Sequence, residues 1–215
     1  MDLPRAVDLV LADRFVGSWR EVATAGAHGT VVEFGFASGL NLPHYPAAVR
    51  RVLAAEPDDR AWASAQASGR IEVFAAARGL DPRDAVRRIS QDAATLPLDD
   101  GSVDAVVSTW TLCSIPEVGR ALAEARRVLR PGGALHLAEH ALAPSPRVAA
   151  FQRTVQPWWG RAAGGCHLDR DIPQLLAAAG FDTTRLIRRY FTRAAPLRPW
   201  TWFVAGTARP VAPRR

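Results

Sequence analysis

Acids and glycines recur where short apolar runs of the sequence end. Glu33, Gly35 and Gly39 form an E-x-G-x-x-x-G pattern at the first run, Glu56 closes the second and Asp92 closes the third. Glycines after a strand let the backbone approach a ligand closely. An acid after a second strand can accept both hydroxyls of a ribose. An acid after a third can accept from an exocyclic amine, while the next backbone N–H meets a ring nitrogen. The pattern therefore predicts an adenosine-binding site.

Two cysteines and two histidines could also do chemistry. Cys113 and Cys166 are too few and too far apart in the chain to predict a disulfide framework or a metal site, so we expect no bound metal. Cys113 is expected to pack in the core, whereas Cys166 is open between packing and substrate contact. His140 and His167 are the histidines placed to act as general bases, and a purely structural role is the alternative for each.

The elements that must position these residues alternate between strands and helices, which predicts βαβ units around a parallel sheet. The last two strands are joined only by residues 192–200, too short a connection for a parallel crossover, so they should form an antiparallel hairpin. Residues 71–83 are ambiguous. The predicted strands are 30–34, 50–55, 85–90, 103–109, 134–138, 184–191 and 201–207, and the predicted helices are 6–25, 59–68, 117–130 and 146–180, the last broken at Pro157 and at Gly164-Gly165.

The order of these motifs resembles the class I S-adenosylmethionine-dependent methyltransferases. Residues 96–104 add L-P-x-x-x-G-S-x-D, and residues 129–133 add L-R-P-G-G. A nicotinamide-binding Rossmann protein would share the first glycines and acid, but not these segments or the closing hairpin. The resemblance covers residues 30–207. It implies a Rossmann-like α/β fold with a mostly parallel seven-stranded sheet, a terminal antiparallel hairpin and helices on both faces. It also implies S-adenosyl-L-methionine as cofactor and S-adenosyl-L-homocysteine as product.

Four further segments are similar to the methyltransferase-like thiol S-methyltransferases and their bacterial relatives. These are residues 39–46, 110–114 (W-T-L-C-S), 139–140 (E-H) and 164–168 (G-G-C-H-L). The resemblance implies methylation of a small apolar thiol. Methylation of oxygen or nitrogen in a small metabolite or phospholipid remains open. A non-catalytic relative also remains open, because Ala37 stands where the family has its middle glycine.

The resemblance also assigns roles to individual residues. The implied cofactor-binding residues are Glu33, Gly35, Phe36, Ala37, Gly39, Glu56, Pro57, Asp92, Ala93, Ser108, Thr109 and Trp110. The substrate wall is expected to come from Phe15, Trp19, Cys113, Trp158, Trp159 and Cys166, with His140 and His167 as candidate catalytic bases.

Charge and composition limit the other classes of function. All 27 basic residues are arginine, and residues 183–215 hold eight of them and no acid. No recognition element accompanies this basic run, so we expect no nucleic-acid partner. No apolar run approaches the roughly 18 residues of a membrane span. Peripheral membrane contact and the oligomeric state stay open.

Length and N-terminal composition predict one domain in the cytoplasm. Asp2, Asp8 and Asp13 are unlike a secretory signal, and two cysteines suit a reducing compartment. We expect a single methyltransferase domain over 1–207. It comprises an N-terminal helical cap (1–29), a cofactor-binding half (30–140) and a substrate-side half (141–207). A disordered basic tail is expected over 208–215.

Overall fold

A computed structural model describes residues 13–192 and 194–211 and contains one mixed sheet. Its strands are β1 (Gly29–Phe34), β2 (Val49–Ala55), β3 (Val86–Ser90), β4 (Val103–Thr109), β5 (Leu129–His140), β6 (Phe181–Asp182), β7 (Ile187–Tyr190) and β8 (Trp202–Pro210). Their order is β3-β2-β1-β4-β5-β8-β6, and β7 also pairs with β8. Strands β1 to β5 are parallel, while β8 runs antiparallel to β5, β6 and β7. The predicted parallel sheet with an antiparallel end is confirmed.

Helices cover both faces of the sheet, as expected for a parallel sheet whose central strands are buried on both sides. They are α1 (Asp13–Thr24), α2 (Asp59–Ala67), α3 (Arg70–Ala76), α4 (Pro82–Ala85), α5 (Val118–Val128), α6 (Pro146–Ala162) and α7 (Ile172–Ala178), with 3₁₀ turns at Leu42–His44 and Ala195–Trp200. The ambiguous segment 71–83 therefore falls mainly in α3 and the start of α4.

Side chains that alternate along the strands divide the core into two layers. On β1, Val31 packs with Ile71 and Phe74 of α3, while Val32 packs with Leu122 of α5 and with α7. Val31 and Val32 are both fully buried. Since successive side chains on a strand point to opposite faces, this central strand anchors both helical layers.

The connection between α5 and β5 differs from the prediction. The helix ends at Val128 rather than at residue 130, and Leu129 already pairs with Val103 of β4. The pairing then shifts register, so that Ala105 faces Ala134. Gly132 in the segment between has a φ of 86°, which only glycine adopts freely. The Pro-Gly-Gly segment thus forms an irregularity within a strand, not the end of a helix.

Two other boundaries differ from the prediction. Helix α6 continues through Pro157 to Ala162, although proline removes one backbone hydrogen bond there. The sixth predicted strand, 184–191, is shortened to β7, and the two-residue strand β6 precedes it. The Asp182 carboxylate accepts from the Thr184 N–H at 2.9 Å and turns the chain between β6 and β7.

Both chain ends limit what can be compared with the prediction. Strand β8 continues to Pro210, so the chain is ordered in the sheet beyond the expected start of the tail at residue 208. The rest of that tail beyond residue 211, and the predicted helix before residue 13, lie outside the described residues. Across the part that is described, no helix combines the length and apolar character needed to cross a membrane.

Candidate active site

A cavity of about 820 Å³ opens at the carboxyl ends of the parallel strands. The strand order reverses between β1 and β4, and ligands of open α/β sheets bind at such a switch point. Two parts of its wall differ in chemistry. The carboxylate end comprises Gly35, Ala37, Ser38, Glu56, Pro57, Asp92 and Ala93, and the thiol end comprises Trp110, Cys113, His140, Trp159 and Cys166.

The turn after β1 forms the floor of the carboxylate end. Gly35, Ala37 and Gly39 have φ values of 66°, 49° and 76°. A Cβ at Gly35 would collide with the side chain of Thr111, so the turn needs glycine there. Ala37 adopts the left-handed conformation in spite of its Cβ, which costs about 1–2 kcal/mol. Ala37 is the position at which the resembled family has its middle glycine. The turn is closed with alanine there, since the Gly39 N–H donates to the Phe36 carbonyl at 2.9 Å.

Glu56 joins this turn to the end of β2. Its Oε2 accepts from the Ala37 N–H at 2.6 Å, and its Oε1 accepts from the Asp58 N–H at 2.8 Å. Burial raises the pKa of Glu56, and the two backbone donors oppose that rise. Each carboxylate oxygen has a second lone pair. Glu56 can therefore accept further hydrogen bonds from a ligand.

Glu33 lies beneath the turn and does not line the cavity. Its two oxygens accept from Asn41 Nδ2 at 2.8 Å and from the Tyr45 hydroxyl at 2.6 Å. Burial raises its pKa to about 7, although these hydrogen bonds and Arg20 lower it. Glu33 thus supports the turn from below, and its predicted place in a methionine pocket is indirect.

Trp110 begins the thiol end directly after β4. Its φ of 51° is an outlier for a bulky residue, and the indole lines the cavity wall. The Trp110 N–H donates to the Ala138 carbonyl at 2.8 Å, and the Arg20 guanidinium lies 5.1 Å from the ring. The Trp110 backbone is therefore held by strand β5, and its ring is contacted from helix α1.

Glu139 organises the loop that follows Trp110, a role the sequence analysis missed. Its carboxylate accepts from the Ser108 hydroxyl at 2.7 Å and from the N–H groups of Thr111 (3.1 Å), Leu112 (3.0 Å) and Cys113 (3.2 Å). Burial raises the pKa of Glu139, and the four donors oppose that rise. A buried acid that closes a strand beside His140 was the available signal.

The two cysteines and His140 meet in the wall of the thiol end. Cys166 Sγ lies 3.6 Å from Cys113 Sγ and 3.6 Å from His140 Nδ1. The hydrogen bond with Cys166 and burial raise the pKa of Cys113. The hydrogen bond with Cys113 and the nearby His140 lower the pKa of Cys166. The structure thus brings together thiols that the sequence analysis treated as separate.

The predicted site residues fall into two groups. Those that line the cavity are Gly35, Ala37, Glu56, Pro57, Asp92, Ala93, Trp110, Cys113, His140, Trp159 and Cys166. Those placed elsewhere are Glu33, Phe36, Gly39, Ser108, Thr109, Phe15, Trp19, Trp158 and His167.

Several residues of the second group correct the expected roles. Phe36 is buried against Trp62, and Ser108 turns away from the cavity towards Glu139. Trp19 is buried against Phe203, whereas Trp158 is 66% exposed. These side chains face the core or solvent because their elements present them to the other side, which periodicity alone does not reveal.

His167 is also corrected as a candidate base. Its Nδ1 lies 3.6 Å from the Asp169 carboxylate, and it lines a separate shallow pocket beside Arg153 and Arg161. The His167 backbone contacts the cavity wall, because its N–H donates to the Cys113 carbonyl at 2.8 Å, but its side chain does not. Of the two predicted bases, His140 alone reaches the wall.

The sequence is similar to those of known methyltransferases. Residues 32–137 match a family model described as a methyltransferase domain. The chain is 34% identical over 173 residues to thiol S-methyltransferase TMT1B of Homo sapiens, covering 76% of this chain and 65% of that protein. It is 30% identical over 127 residues to phosphatidylethanolamine N-methyltransferase of Cereibacter sphaeroides, covering 59% and 58%. The chain thus spans less than two thirds of the length of these relatives.

A solved structure shows the same fold. The S-adenosylmethionine-dependent methyltransferase of Mesorhizobium loti superposes with a TM-score of 0.63 at 17% identity, covering 97% of this chain and all of the other. The arrangement of the sheet and its helices is therefore that of a known fold.

Proposed function

Because the chain carries a methyltransferase domain of the class I, S-adenosylmethionine-dependent family, we propose that it methylates a small apolar thiol in this cavity. S-Adenosyl-L-methionine would bind at the carboxylate end and the thiol at the thiol end. The observation that carries the proposal is that one and the same cavity is lined by Glu56 and Asp92 and by aromatic and sulfur-bearing side chains.

Two unsatisfied polar atoms indicate that the residues present fit the cofactor. Ser38 Oγ and Trp110 Nε1 are buried and have no hydrogen-bond partner among the described residues. Both residues line the cavity, and buried polar groups are normally paired. A ligand with polar groups along its length would satisfy them.

The carboxylate end has the acceptors that an adenosine requires. Glu56 would accept from the ribose hydroxyls, and Asp92 and Ala93 would read the adenine edge, with Pro57 beside the ring. When bound, the cofactor supplies a methyl group activated on a sulfonium sulfur. The chain's own task is to hold the acceptor in line with that group and to exclude water.

The thiol end favours a thiol over an amine. None of the described residues that line this end is acidic, since the acids of the cavity wall, Glu56, Asp58 and Asp92, follow β2 and β3. An amine that becomes quaternary is held by an acid or by several aromatic faces, and this end offers no acid and only two indoles, those of Trp110 and Trp159. A thiol with a pKa near ~8.5 ionises without a strong base. The methylation rate should therefore rise with pH as the acceptor thiol ionises.

A panel of acceptors tests the proposal. Purified protein is supplied with S-adenosyl-L-methionine and equal concentrations of alkyl and aryl thiols, phenols and amines, and methylated products are quantified by mass spectrometry. Apolar thiols should be methylated, the Glu56→Ala variant should lose most of this activity, and the exposed Glu72→Ala should retain it. Methylation of phenols or amines with thiols untouched would overturn the thiol assignment. A protein that neither binds the cofactor nor methylates any acceptor would overturn the proposal as a whole.

A further inference from the structure

We infer that Cys113, His140 and Cys166 form a zinc site whose fourth position opens into the cavity and binds the acceptor sulfur. No metal was expected from the sequence, because the two cysteines are too few and too far apart in the chain. The tertiary structure places their ligand atoms within 4.8 Å of one another. This inference rests on the proposed function and specifies how the acceptor is held.

Two of the three distances between the ligand atoms agree with a tetrahedral ion. With Zn–S of about 2.3 Å and Zn–N of about 2.0 Å, two sulfurs lie about 3.8 Å apart and a sulfur and a nitrogen about 3.5 Å apart. The observed separations are 3.6 Å for Cys113 Sγ to Cys166 Sγ and 3.6 Å for Cys166 Sγ to His140 Nδ1. The third pair, Cys113 Sγ and His140, lies within 4.8 Å, so these two atoms would approach by up to about 1.3 Å when an ion binds all three.

Hydrogen bonds fix the backbone of Cys113 and Cys166, and His140 is held at the end of β5 opposite Phe203 of β8. Glu139, the neighbour of His140, accepts from the Cys113 N–H, and the His167 N–H donates to the Cys113 carbonyl. Gln156 Nε2 donates to the Cys166 carbonyl at 3.0 Å, while its Oε1 accepts from the Leu168 N–H at 2.8 Å. A site organised in this way has little conformational entropy to lose when it binds an ion.

The composition of the cluster favours zinc, and its location favours an open site. Thiolate and imidazole ligands suit Zn²⁺, and three protein ligands with a vacant fourth position are typical of catalytic zinc. All three residues line the main cavity, so the remaining position is accessible to a small molecule.

The proposed step balances without a further reactant. The acceptor thiol binds the ion as a thiolate and releases its proton to solvent. A new bond forms between this sulfur and the methyl carbon, while the bond from that carbon to the sulfonium sulfur breaks. The products are a neutral thioether, which is a weak ligand and dissociates, and S-adenosyl-L-homocysteine. No electrons are exchanged with an outside partner.

Metal content provides a test that does not depend on activity. The full-length protein is stripped with a chelator, reloaded with Zn²⁺ or Co²⁺, dialysed and analysed by mass spectrometry of the metal. About one equivalent should remain, and the Co²⁺ form should show a thiolate-to-cobalt charge-transfer band. Cys166→Ser and Cys113→Ser should each lower retention at least tenfold, whereas His167→Ala, a histidine next to the cluster in sequence but outside it, should retain the metal.

A measurement on the wild-type chain covers the case in which the cysteine variants do not fold. Both thiols of the stripped protein should react with a thiol-specific disulfide reagent, and Zn²⁺ should slow that reaction at least tenfold. Retention of less than a tenth of an equivalent, or equal reactivity with and without Zn²⁺, would overturn the zinc site. Thiol methylation by the stripped enzyme at the full rate would overturn the site's role while leaving the proposed function intact. Bound zinc with no methylation of any thiol would overturn the proposed function and the role of the site with it.

Discussion

The carboxylate end and the thiol end of the cavity each depend on a buried glutamate, but the two are supported differently. At the carboxylate end, Glu33 accepts from the side chains of Asn41 and Tyr45, which lie close to it in sequence. At the thiol end, Glu139 accepts from three backbone N–H groups and from Ser108, all at least 26 residues away. The first glutamate holds a local turn, whereas the second joins two strands and the loop after β4.

This difference shows where each end is vulnerable. Side-chain partners can repack when a carboxylate is lost, but buried N–H groups of a loop have no other acceptor nearby. We therefore expect damage to Glu139 to destroy the thiol end while the carboxylate end survives.

The largest effect should follow Glu139→Gln. The amide oxygen can replace Oε1, which accepts three of the four bonds, but the amide NH₂ in place of Oε2 then faces the Cys113 N–H and leaves two buried donors opposed. That conflict costs about 1–3 kcal/mol, and the three remaining bonds weaken because their acceptor is no longer a carboxylate. We expect a loss of about 4 kcal/mol in the free energy of unfolding, measured with urea, and little remaining thiol methylation. Ser108→Ala, which removes only one of the four bonds, should cost about 1 kcal/mol.

Cofactor affinity in the same variant tests whether the two ends are independent. Calorimetric binding of S-adenosyl-L-methionine by folded Glu139→Gln at low temperature should stay within about 0.5 kcal/mol of wild type, as for separate sites. A parallel loss of cofactor affinity would show that the ends form one unit.

The next effect is the pH dependence caused by Glu33. Its pKa is raised from 4.5 to about 7 in the folded state, so the folded protein binds this proton more tightly than the unfolded chain. The resulting stability is fully present below the unfolded pKa and is lost as pH rises through the folded value. Between pH 5 and pH 8.5, wild type should lose about 2–3 kcal/mol more than Glu33→Gln. An equal change in the free energy of unfolding for the two proteins between these pH values, measured with urea, would contradict the assignment of this pH dependence to Glu33.

A smaller effect is expected at Glu56. Its carboxylate is the charged acceptor proposed for the ribose hydroxyls, so Glu56→Ala should weaken cofactor binding by about 1–3 kcal/mol. Asp92→Ala should weaken it less, because Asp92 is exposed and the Ala93 N–H can still contact the adenine. Calorimetry measures both, and an unchanged dissociation constant in Glu56→Ala would remove the ribose assignment. Metal retention at the thiol end should be the same in both variants.

The smallest effect concerns Ala37. Glycine at this left-handed position relieves strain of about 1–2 kcal/mol but makes the unfolded chain more flexible, which offsets about 0.5–1 kcal/mol. Ala37→Gly should therefore raise the free energy of unfolding by less than about 1 kcal/mol and leave cofactor affinity equal or better. Cofactor binding that appears only after this change would show that the natural chain is a non-catalytic relative.

Most of the fold and the carboxylate end could be predicted from the sequence for one physical reason. Parallel strands end at the same edge of a sheet, so residues that directly follow β1, β2 and β3 must lie near one another. Gly35, Glu56 and Asp92 follow from that rule once the strands are recognised, and all three line the cavity.

Side-chain direction within each element was much harder to predict. Trp158 and Trp159 are adjacent in α6, yet one is exposed and the other lines the cavity. The helix continues through Pro157, so which of its side chains face the cavity and which face solvent could be seen only in the folded structure.

The sequence by itself determined the order of strands and helices, the glycine turn and the acids at the strand ends, because these depend on local conformation and on the period of apolar residues. Only the tertiary structure decided the cluster of Cys113, His140 and Cys166, which joins a loop, a strand end and a glycine-rich segment. Contacts of this kind depend on how distant segments pack, and spacing along the chain carries no information about them. The expectation of no metal came from spacing, and the zinc site inferred here comes from distances in space.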